Sequence, residues 1–167
     1  TTYFTGKPDP QCFSSRERAN KQWKPDDRRL LQQWMPGMIR LGLYGTVFHN
    51  QCSLQFCQEH ATGRIHFQRC GPKYMPKDIS FNDHRFAVWL NWLREHQDCE
   101  ACFCTDLFDV SVVDNPFKIM ENAQHDLWVG KEPHVVRDSW WINRKYMEVF
   151  GRIPVKRDVQ ILNAGIF

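Results

Sequence analysis

The chain has 167 residues, 42% of them hydrophobic and 25% charged, with a formal net charge of +3. This is the composition of one globular domain with a real core, and it excludes disordered, collagenous and coiled-coil chains. Lys and Arg are scattered rather than gathered into a stripe, so no nucleic-acid partner is expected, although a small basic cluster can hold one diphosphate.

Thr2–Gly6 is a β-prone run that predicts a first strand, followed by Lys7-Pro-Asp-Pro10, which must be loop. Pro25-Asp-Asp27 opens a predicted helix over Arg28–Leu41, with Leu30, Leu31, Trp34, Met38 and Leu41 on one face and Pro36 kinking it. Tyr44–His49 reads as extended, Ser53 as the N-cap of a short helix through His60, and Arg64–Arg69 as a strand with Ile65 and Phe67 on one side. A second long helix starts at Ser80 or Asn82, carries Phe81, Phe86, Trp89, Leu90 and Leu93 as its stripe, and ends near His96. It leads into an apolar run, Cys102–Asp106, expected to be a buried strand. A short helix over Phe117–Ala123, a strand over Asp126–Val129, a helix over Ser139–Phe150 and a strand over Val159–Leu162 complete the pattern. The alternation predicts a three-layer α/β domain with a mostly parallel sheet, one domain over residues 1–167.

No apolar stretch approaches the roughly 20 residues of a membrane span, so any membrane attachment would come through segments outside this chain. The sequence begins without Met and stops inside an apparent strand at Ile161–Phe167, which reads as an incomplete fragment truncated at its C-terminus. Seven cysteines, an odd count, fit either three disulfides with one free thiol or a set of buried thiols. Cys99, Cys102 and Cys104 invite a zinc reading, but Cys102 and Cys104 would point the same way into a core, so buried thiols are the expectation.

The most informative segment is Thr105-Asp-Leu-Phe-Asp-Val110 with Asn115-Pro-Phe117. Open α/β sheets put their ligands at the carboxyl ends of strands. Asp106 and Asp109 are an odd number of residues apart, so they reach one ion only if the chain turns at Leu107-Phe108. Two carboxylates there suit Mg²⁺ or Mn²⁺, which take oxygen ligands and share substrate phosphates. The alternative is that one acid caps a turn while the other pairs with an arginine.

These residues, together with Leu127-Trp-Val-Gly-Lys-Glu132 and Leu162-Asn-Ala-Gly-Ile166, resemble nucleotide-sugar-dependent glycosyltransferases of the GT-A fold in order and spacing. The resemblance covers most of the chain and is strongest over 82–167. It implies a GT-A-like domain that moves a sugar from a nucleotide diphosphate sugar donor to a glycan, protein or lipid hydroxyl acceptor. It further implies Mn²⁺ or Mg²⁺ at Asp106 and Asp109, with Asp106 also touching the donor, and a Golgi or other secretory-pathway setting. The Thr-Asp-x-x-Asp-Val form departs from strict Asp-x-Asp by one residue, which leaves the division of roles between the two acids open. By the same resemblance Thr5, Gly6, Asp83 and Arg85 would contact the donor. Asn163, Ala164 and Gly165 would lie against the sugar, Lys131 would bind sugar or acceptor, and Glu132 would act on the acceptor. Each has a plainer reading as well: Asn82 and Asp83 suit a helix cap, and Asn-Ala-Gly suits any tight turn. The rivals are a sugar nucleotidyltransferase, for which the expected glycine- and arginine-rich loop is missing near Gly6, and a non-catalytic carbohydrate-binding or interaction domain of the same fold.

Overall fold

Three short strands, β1 (Thr2–Tyr3), β2 (Gly45–His49) and β3 (Ile65–Arg69), form a parallel sheet in that order, with Tyr3 opposite His49 and Val47 opposite Phe67. The computed structural model describes residues 1–5, 24–71, 81–121, 125–153, 156 and 158–163, and the chain divides into two units, Thr1–Ala123 and Gln124–Phe167. It is an α/β protein, as the alternation predicts.

In the first unit, Val47 and Ile65 are completely buried, as expected of parallel strands covered on both faces. Helix α2 (Leu54–His60) crosses from β2 to β3, and the Ser53 hydroxyl caps it by accepting from the Phe56 N–H at 3.1 Å. Its inward Phe56 meets the rings of Tyr3 and Phe67 edge-on, at 6.1 and 6.0 Å.

The helix predicted over Arg28–Leu41 is two pieces: a 3₁₀ turn, Arg28–Leu31, and α1 (Trp34–Arg40). Pro36 is the cause. Its ring would collide with the carbonyl four residues back, at Gln32, whereas in the first turn of a helix its missing N–H costs nothing. The predicted apolar residues Leu30, Leu31, Trp34 and Met38 are all buried.

Helix α3 (Phe81–Glu95) covers the predicted span, but its buried face is turned from the predicted stripe. His84, Val88 and Trp89 are buried and Leu90 is 49% exposed. The sheet chooses the face: Trp92 packs edge-on against Phe48 of β2, which carries the i, i+4 row 84–88–92 inward.

The run Cys102–Asp106 forms no extended ladder; only Thr105 makes an isolated β-bridge. The stretch lies beside the start of β1, since the Thr1 amino group is within electrostatic range of Cys104, Cys102 and Asp106. Leu107 and Val112 anchor the following loop in the core built on Tyr3, Trp34 and Val47, and α4 (Phe117–Met120) begins the predicted short helix.

In the second unit, β4 (Gly130–Val135) pairs with β5 (Gln160–Asn163), and the pair is antiparallel. The strand predicted at Asp126–Val129 therefore lies further along the chain. Its ladder is irregular between Lys131 and Val135, the stretch that contains Pro133, which has no N–H to donate. Helix α5 (Trp140–Phe150) has the Ser139 hydroxyl as its cap and ends at Gly151, whose φ of 64° is the left-handed geometry glycine adopts freely. Among the described residues, no helix is long and apolar enough to cross a membrane.

Candidate functional site

The carboxyl end of the parallel sheet is assembled by side chains that follow each strand. Beyond β2, Asn50 clamps the residue after β1 from both sides: the Thr5 N–H donates to Asn50 Oδ1 at 2.9 Å and Asn50 Nδ2 donates to the Thr5 carbonyl at 2.8 Å. This prolongs the β1–β2 pairing past its last backbone rung. The Thr5 hydroxyl donates to Gln51 Oε1 at 3.0 Å, and Thr5 is only 2% exposed. Thr5 therefore fixes the start of the loop after β1 through its backbone and hydroxyl. Gly6 lies outside the described residues.

The chain leaves the buried Thr105 at Asp106 and bends over Leu107–Asp109. A turn at this place is what two acids at that spacing require if they are to reach one ion. Leu107 points into the core while Asp106 and Asp109 do not, so an apolar anchor sets the direction of both carboxylates.

Asp106 forms an ion pair with Arg85 Nη1, and the two side chains are 32% and 13% exposed. The Arg85 guanidinium also lies 5.0 Å from the centroid of Phe86 and 5.7 Å from that of Trp89, within cation–π range. Rings behind and a carboxylate in front hold the cation in one place. Of the readings open for the two acids, the pairing of one with an arginine is seen at Asp106.

Burial pushes the Asp109 carboxyl above its ordinary pKa, and the neighbouring Asp106 charge adds to this, with Arg85 opposing. Two carboxylates that feel each other, one of them already neutralised by a guanidinium, suit a hard cation that shares its coordination sphere with phosphate oxygens. Among the described residues no group of three His, Cys, Asp or Glu is placed to hold a metal ion.

The loop after the acids is tied down. Arg40 Nη2 donates to the Val113 carbonyl at 2.7 Å and to that of Val112 at 3.3 Å, and Gly37 packs against the Val112 backbone without room for a Cβ. Asn115 Oδ1 accepts from the Phe117 N–H at 3.0 Å and starts α4. Asp83 stands exposed in the first turn of α3, where a helix dipole favours an acid.

In the second unit, Lys131 and Glu132 lie within β4 rather than after a strand. Asn163 ends β5 opposite Gly130, and its Nδ2 donates to Glu132 Oε1. Two candidates 31 residues apart are brought into contact by the hairpin. Ala164 and Gly165 lie outside the described residues.

Asn50, Gln51 and the aromatic backing of Arg85 are site features that the sequence reading missed. The available signal was position, since Asn50 directly follows a predicted strand in a parallel sheet. Comparisons with protein-family models, with curated proteins and with solved structures each return no match.

Proposed function

We propose that this chain is a glycosyltransferase of GT-A-like, three-layer architecture that moves a sugar from a nucleotide diphosphate sugar to a hydroxyl acceptor. The observation that supports this reading is the Arg85–Asp106 ion pair with Asp109 within electrostatic reach of both, in a unit built on a parallel sheet. The resemblance of the Thr105–Val110 segment to such enzymes adds to it.

In this reading Asp106 and Asp109 hold Mn²⁺ or Mg²⁺. The metal supplies Lewis-acid neutralisation of the departing nucleoside diphosphate. Arg85, planar and already oriented, binds phosphate oxygens in a bidentate fashion. The Asn50–Thr5 clamp holds Thr5 itself in place, the residue that the resemblance assigns to the donor. By the resemblance Glu132 would act on the acceptor hydroxyl; within its own unit its carboxylate accepts from the Asn163 amide.

Release of nucleoside diphosphate from a panel of UDP-, GDP-, CDP- and dTDP-sugars, with and without Mn²⁺, tests the proposal. Turnover of one donor that needs metal and falls about 10²-fold or more in Asp106→Asn is expected. Metal-independent binding of a nucleotide with no turnover would favour a non-catalytic domain of the same fold.

A further inference from the structure

We propose that Cys102 and Cys104 are a dithiol site that closes to an intrachain disulfide by exchange with a small-molecule disulfide of the glutathione class. The six described cysteines are all free thiols, and Cys102 Sγ lies 3.7 Å from Cys104 Sγ. Only Phe103 separates the two cysteines, so neighbouring backbone presents the two sulfurs together. A disulfide requires about 2.05 Å between sulfurs, a closure of side-chain scale.

The two thiols differ in a way that orders the reaction. Cys102 is half-buried while Cys104 is 4% exposed, so an incoming disulfide meets Cys102 first. The two sulfurs are in contact, and the thiolate formed at the more accessible Cys102 is the nucleophile in exchange. Cys99 is turned elsewhere, donating to the Ala101 carbonyl at 3.4 Å.

In the first step the Cys102 thiolate attacks one sulfur of glutathione disulfide, its S–S bond breaks, and one glutathione leaves as thiolate and takes up a proton. In the second the Cys104 sulfur loses its proton and attacks the Cys102 sulfur of the mixed disulfide, expelling the second glutathione, which is protonated. Two protein thiols are oxidised and one glutathione disulfide is reduced to two thiols.

The position gives the site a consequence. An extended pair two residues apart spans at most about 7 Å between Cα atoms, at the upper edge of the separation that a disulfide accepts. Closure therefore acts on the stretch that leads directly to Thr105 and Asp106. The exchange itself holds whether or not the chain transfers sugar.

The test is to incubate the folded full chain with glutathione disulfide, block remaining thiols with an alkylating agent, and map the 95–118 peptide by fragmentation mass spectrometry. The expected result is a peptide lighter by two hydrogens with the link between Cys102 and Cys104, reversed by dithiothreitol and unchanged in Cys99→Ser. Cys104→Ser should stop at a glutathione adduct on Cys102. A stable glutathione adduct on Cys102 in the wild-type chain, a link from Cys99, or alkylation of both Cys102 and Cys104 after incubation would overturn it.

Discussion

Arg85 and Asp106 form an ion pair across the gap between helix α3 and the end of the acidic loop, with the guanidinium held over Phe86 and Trp89. A pair of this partial exposure lies between surface pairs, worth little, and buried ones, costly to break. A double-mutant cycle of Arg85→Met and Asp106→Asn, followed by urea unfolding, should give a coupling energy of about 1–2 kcal/mol. A coupling near zero would mean that the two groups do not hold each other in solution.

Asp109 is raised in pKa by burial and by Asp106. Its folded value exceeds its unfolded one, so the stability linked to this group is present at pH below the unfolded carboxylate value, about 3.9, and is lost as pH rises through the folded value. Asp109→Asn should therefore melt above the wild type at neutral pH, and the difference should vanish near pH 4 and below. Thermal unfolding across that range measures it.

His49 behaves in the opposite sense. Burial, and then the Arg69 charge, lower its pKa. Its Nδ1 accepts from the Cys52 N–H at 3.2 Å and its Nε2 lies 3.5 Å from Cys57 Sγ, which fixes a neutral ring. Its folded value lies below the unfolded one, so its contribution is complete above about pH 6.5 and declines as pH falls. The melting-temperature advantage of wild type over His49→Gln should shrink steadily from pH 7 to pH 5.

Gly37→Ala tests how the acidic loop is anchored. Alanine is the better helix former by about 1 kcal/mol, yet the added Cβ would collide with the Val112 carbonyl oxygen and lie 2.9 Å from the Val112 carbonyl carbon. Backbone on both sides cannot yield cheaply, so the variant should lose on the order of 3 kcal/mol in chemical denaturation. An unchanged midpoint would show that the loop is not seated against α1.

The elements legible in the sequence were those decided locally. Ser53 announces α2 by its capping hydroxyl, and Ile65 and Phe67 announce β3 by alternation. What was not legible depended on distant partners. Whether Cys102–Asp106 becomes a ladder strand depends on neighbouring backbone that the run itself does not encode. The ladder of β4 is placed at 130–135 by its pairing with 160–163, not by the apolar residues at 126–129. The face of α3 was set by Phe48 and by Asp106, which draws Arg85 toward it. Pro36 was noted as a kink, but the clash with Gln32 makes it a boundary. Asn50 looks like any polar residue after a strand until Thr5 is beside it.

The measurement closest to the central claim is isothermal titration of UDP, GDP, CDP and dTDP into the full chain with and without Mn²⁺, repeated on Asp109→Asn. The account predicts that one nucleoside diphosphate binds only with metal and that Asp109→Asn, folded and at least as stable at neutral pH, abolishes the heat. Silence of all four nucleotides with the folded wild-type protein, or binding that neither metal nor Asp109 affects, would contradict it.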